Sequence, residues 1–84
     1  MPRYFFDMLI CGNASRDPEG LVLDDDRAAR AAAGGILHDL ALATLPSGRH
    51  QVFVATVREY RRGPVFRTTM TIETELLGAT ISGA

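Results

Sequence analysis

From Arg3 to Ile10 apolar side chains fall on both parities: Tyr4, Phe6, Met8 and Ile10 on one, Phe5 and Leu9 beside Asp7 on the other. Such alternation predicts a strand covered on both faces. Residues 11–16, with Gly12-Asn13 and Ser15, have turn chemistry, and 20–23 read as a short second strand, the return arm of a hairpin. After Asp24 the period lengthens. Ala29, Ala32, Ala33, Ile36, Leu37, Leu40 and Ala43 recur at spacings of three and four, which predicts a helix over 25–44, stopped before Pro46 and Gly48. Asp24 is the expected cap, and Asp25 and Asp26 then sit at the positive end of the helix dipole. Consecutive helical side chains point about 100° apart, so these three acids serve capping better than a metal.

Period two returns in 51–59, where Val52 and Val54 face one way and Phe53, Ala55 and Val57 the other. Apolar residues on both faces predict an interior strand or an oligomer contact. A turn over 60–64 leads to the cleanest strand. Phe66, Thr68, Met70 and Ile72 face inward there, and Val65, Arg67, Thr69, Thr71 and Glu73 outward. The expected fold is α+β: a two-layer ββαββ unit with a four-stranded, mainly antiparallel sheet and one helix packed on one face. Residues 1–75 form the single domain, and 76–84 a tail or strand extension.

The 84 residues, 46% hydrophobic and 23% charged, suit one small globular domain. A core of this size is marginal alone and often gains from oligomerisation. Cys11 is the only cysteine, so neither an internal disulfide nor a multi-cysteine zinc cage is expected. No apolar run nears the roughly 20 residues of a membrane span. The Met-Pro start followed by aromatics leaves no room for a secretory leader, so a cytoplasmic location is expected.

The net charge of −1 hides a division. Residues 7–39 carry seven acids against Arg16, Arg27 and Arg30, whereas 49–67 carry five arginines against Glu59. Arg58, Tyr60, Arg61, Arg62 and Arg67 cluster about one predicted hairpin, where paired strands could present arginine to phosphate. A nucleic-acid-binding accessory role is therefore the alternative reading. An overall acidic chain, with pI about 6.0 and without the aromatic sheet signature of an RNA-recognition motif, weighs against it.

Catalytic chemistry finds little support. His38 lies on the outer helix face and His50 at a strand entry, so nothing brings them together as a metal pair or a base. Asp7 could pair with Asp39 only if the helix end met the first strand. Ser15, Ser47 and Ser82 lack a nucleophile elbow, and Gly34-Gly35 lacks a phosphate-loop context. No enzyme activity, cofactor or metal is expected; a small enzyme or ligand-binding protein is the remotest reading.

The outer helix face carries Arg27, Ala31, Gly34, His38 and Leu42, with Gly35 on its flank. Two mid-helix glycines cost roughly 1 kcal/mol each relative to alanine, which makes sense where another backbone comes close. The expected partner is a second copy, most simply in a two-fold dimer, and an unknown protein partner is also open. Its candidate interface is Ala31, Gly34, Gly35, His38 and Leu42 on the helix, or Val52 and Val54 on the uncovered sheet face. The helix is the slightly favoured mode.

Met1-Pro2-Arg3-Tyr4-Phe5-Phe6, then Asp17, Glu19, Gly20, Leu23, Asp25 and Ala28-Ala29-Arg30-Ala31 with Ala33, resemble a family of short, mostly alphaproteobacterial proteins of unknown function. Its members open with Met-Pro-Arg-Tyr-Phe-Phe-His. The resemblance implies the ββαββ layout and a bacterial cytoplasmic protein, and it implies no activity. Asp7 stands where those proteins usually carry histidine, and the tail beyond Ile72 is atypical of them.

Overall fold

The alternating opening is a strand, β1 (Arg3–Ile10), with neighbours on both sides in the sheet. A two-residue turn at Cys11-Gly12, both at positive φ (48° and 89°), returns the chain as β2 (Asn13–Ser15). Positive φ at both central residues gives the turn whose twist matches a hairpin. The chain leaves the edge of β1 and rejoins it as β3 (Leu21–Val22), beside Arg3 and Tyr4. The computed structural model describes residues 1–44, 50–75 and 77. Over these, α1 (Asp26–Thr44), β4 (His50–Glu59) and β5 (Gly63–Glu73) complete a five-stranded sheet in the order β2-β1-β4-β5, with β3 also on β1.

All the pairings are antiparallel. The α+β class and, among the described residues, a single helix on one face agree with the sequence reading. The fifth strand, β2, falls in the span expected to be turn; three exposed residues are too short for periodicity to register. Pro46, Ser47, Gly48 and the tail from residue 78 lie outside the described residues, and Leu77 is exposed.

Ala29, Ala33, Leu37 and Ala41 form the buried line of α1, against Tyr4, Phe6, Phe53, Ala55 and Val57. The line follows every fourth residue, so Ala41 is buried and Ala43 is exposed, against expectation. Ala32, Ile36 and Leu40 pack on its flank. Alanine at three of four buried positions lets the helix backbone lie close to the sheet. The cap is Asp25, one residue later than expected: its Oδ1 accepts from Ala28 N at 2.9 Å, and its carbonyl starts the helical ladder at Ala29.

In the β4–β5 hairpin, Gly63 sits at φ 77°, after a three-residue turn. The register shifts between Val57 and Arg58, so Val65 is an extra residue on β5. This bulge turns Val65 onto the core beside Phe66, whereas strict alternation would place it outward.

Candidate functional site

Between β2 and β3 the outer edge of β1 has a gap at Phe6, and the Asp17 side chain fills it. Asp17 Oδ2 accepts from Phe6 N at 3.1 Å, while Oδ1 accepts from Glu19 N and Gly20 N, each at 3.1 Å. Gly20, at φ 73°, admits no side chain, because a Cβ would lie 2.8 Å from the Tyr4 carbonyl oxygen.

Asp7 continues this network on the sheet face opposite the helix. Its Oδ1 accepts from Asp17 N at 3.0 Å. Arg58, from β4, donates Nε to Asp7 Oδ2 at 2.6 Å, and Nη2 to Asp7 Oδ1 and to the Asp17 carbonyl at 3.2 and 3.3 Å. The guanidinium lies 4.6 Å above the centroid of Phe5, its register partner. The Arg58 and Asp7 side chains are both largely covered, at 20% and 23% exposure. The hydrogen bond from Arg58 holds the Asp7 carboxyl below its ordinary value, and Asp7 raises Arg58 in return. Burial pushes Asp17 up, but its three backbone donors outweigh that and leave it low.

A second network clasps the start of α1 to the β4–β5 turn. Buried Tyr4 donates its hydroxyl to Asp26 Oδ1 at 2.6 Å. Arg62 grips both Asp26 oxygens, at 2.5 and 3.2 Å, and reaches Glu59 Oε1 at 3.2 Å. Glu59 also accepts from Arg61 N and Arg62 N, closing the turn. Arg62 first, and then Tyr4, lower Asp26; that same hydrogen bond pushes Tyr4 up to about 12. Burial opposes ionised Glu59, yet the turn amides and Arg62 bring it below its ordinary value.

These networks divide the five candidate nucleic-acid contacts. Arg58 is committed to Asp7 on the open sheet face, and Arg62 to Asp26 and Glu59 beside the helix. Tyr60 and Arg61 are exposed at the turn, and Arg67 is exposed on β5, bonded to Thr56 Oγ1 at 3.2 Å. Of the candidate interface, Ala31, Gly35, His38 and Leu42 are exposed and Gly34 is half-buried, while Val52 and Val54 are half-buried on the opposite face. A Cβ at Gly34 or Gly35 would meet nothing within 4 Å, so the fold itself does not require glycine there.

His50 lies 3.2 Å from Glu73 and His38 4.0 Å from Asp39, so the two histidines stand apart. Asp7 meets Arg58 rather than Asp39. Among the described residues, no group of three His, Cys, Asp or Glu side chains could hold a metal. No helix among them is long and apolar enough to cross a membrane. Sequence reasoning missed both networks. The Asp17-Pro18-Glu19-Gly20 turn was a visible signal for the first; the second joins residues 36 apart and leaves no local trace.

The family model described as Domain of unknown function (DUF6894) matches residues 3–71, and the chain belongs to that family. No curated protein and no solved structure matches it significantly.

Proposed function

We propose that this family member is a small bacterial, cytoplasmic interaction module that acts as a homo-oligomer and carries no catalytic site of its own. The observation that carries the reading is where the charged side chains go. Asp7, Asp17, Asp26, Glu59, Arg58 and Arg62 spend their bonds on joining strands, turn and helix. Groups committed in this way hold a scaffold and are poorly placed to transfer protons to a substrate. Apolar surface stays outward instead, with Leu9 at 42% and Leu42 at 62% exposure. Of the candidate nucleic-acid arginines, Arg61 and Arg67 alone keep exposed side chains outside the two networks, which is thin support for phosphate binding.

Size exclusion with light scattering at micromolar concentration tests the assembly. The expected mass is a multiple of 9.1 kDa; a monomer at that mass refutes the oligomer. A hydrolase and transferase screen tests the rest, and turnover abolished by Asp7→Asn or His38→Ala would refute the non-catalytic reading.

A further inference from the structure

The outer edge of β5 shows which way its backbone groups point. Cys11 N donates to the Val52 carbonyl and Tyr60 N to the Arg3 carbonyl, both at 2.9 Å. Even-numbered residues from Val52 to Tyr60 therefore turn their amides and carbonyls toward β1. Neighbouring residues in an antiparallel strand turn the opposite way. Phe53, Ala55 and Val57 thus face β5, where their register partners are Met70, Thr68 and Phe66. It follows that Arg67, Thr69, Thr71 and Glu73 direct their backbone donors and acceptors away from the sheet. Among the described residues, no strand pairs on that side. The same four residues are exposed.

Natural sheets guard a long edge with proline, bulges, charge or a short strand. Here Pro64 and the bulge at Val65 guard only the end next to the turn. Beyond them runs a regular, alternating strand with arginine near one end and glutamate at the other. We infer that a second copy of this chain docks on this edge, strand to strand and antiparallel, with Met70 on the two-fold axis. The inference rests on the homo-oligomer reading and names its surface.

Charge complementarity selects both the occupant and the register. With the axis at Met70, Arg67 lies opposite the partner subunit's Glu73 and Thr69 opposite the partner subunit's Thr71, and symmetry repeats both pairs. All of these residues direct backbone groups at the edge, so each pair closes ladder hydrogen bonds. Half-buried Met70 then meets its own copy on the helix side, and Thr68 meets the partner subunit's Ile72. Moving the axis to Thr69 sets Arg67 against threonine and Glu73 against Val65. Moving it to Thr71 sets Arg67 against the partner subunit's Glu75, beyond the end of β5, but leaves Glu73 against threonine. Only the Met70 register matches both charges of β5. The product is a continuous sheet with both helices on one face, a strand-addition mode in which main-chain bonds supply affinity and side chains set register.

The test uses the full chain, with dimer dissociation followed by sedimentation. Arg67→Glu and Glu73→Arg should each weaken the dimer by about tenfold, because two symmetric pairs turn from attractive to repulsive. The double variant Arg67→Glu/Glu73→Arg should return to the wild-type constant. Thr69→Pro removes an amide hydrogen that no described strand accepts and should give a folded monomer. A dimer that survives Thr69→Pro, or a double variant no tighter than the singles, overturns the edge while leaving the oligomer standing. A monomeric wild type overturns both. Should Thr69→Pro fail to fold, the charge series decides alone.

Discussion

Phe6 is buried, and its amide would lie unpaired on the edge of β1 without Asp17. An unpaired buried donor costs about 1–3 kcal/mol, so one carboxylate there replaces a missing stretch of strand. Arg58 fixes Asp7, and Asp7 in turn receives the Asp17 amide. Arg58→Met should destabilise the fold by about 1–3 kcal/mol in urea, since it strands a partly covered carboxylate; an unchanged midpoint would refute this. Asp7, Asp17, Asp26 and Glu59 all titrate below their ordinary values. The unfolded chain binds those protons more tightly, so their stabilisation is complete above about pH 4.5 and fades as pH falls through the lower folded values. Tyr4 has the opposite sign: raised to about 12, it contributes fully below about pH 10 and fades as pH climbs toward the folded value. Urea midpoints across pH should fall at both ends. Asp7→Asn should flatten the acid limb, and Tyr4→Phe the alkaline one.

Helix and strand periodicity reveal the elements because each follows from neighbours a few residues apart. Their joints depend on contacts far along the chain. In the run Asp24-Asp25-Asp26 the cap falls on Asp25 and not on the expected Asp24, because adjacent carboxylates of one residue type carry no local signal that separates them. The buried line runs through Ala41 and not Ala43; Ala41 follows Leu37 by four and Ala43 follows Leu40 by three, so spacing alone does not choose between them. Val65 faces inward through a bulge, and alternation assumes there is none. The candidate site was less legible still: Asp7 could be singled out, but not its partner Arg58, 51 positions on. Asp25→Ala should cost about 1 kcal/mol of stability by thermal or urea melts. Gly20→Ala should cost more, through both its positive φ and its contact with the Tyr4 carbonyl, whereas Gly35→Ala, with open space around it, should gain up to about 1 kcal/mol. A loss at Gly35 would mean that a neighbouring backbone already occupies that space.

At the scale of the molecule, three surfaces compete for the second copy: the outer helix face, the open sheet face and the β5 edge. The open face is divided. Leu9, Val52 and Val54 are apolar, but Asp7, Arg58, Thr56, Arg67, Thr69 and Thr71 share the same side, which suits water better than a stacked sheet. The outer helix face offers Leu42 as its one large exposed apolar side chain, among Ala31, Gly35 and His38. The β5 edge instead offers main-chain groups that no described strand pairs, with matched charges, and therefore specificity as well as contact. Each surface has its own variant. Val54→Lys should break a face-stacked dimer, Gly35→Leu a helix-crossed one, and Arg67→Glu an edge-paired one. Edge pairing predicts that the first two leave the sedimenting mass at the wild-type value while Arg67→Glu lowers it at the same concentration. Loss of the dimer in Val54→Lys or Gly35→Leu, with retained circular dichroism, would transfer the interface to the corresponding face.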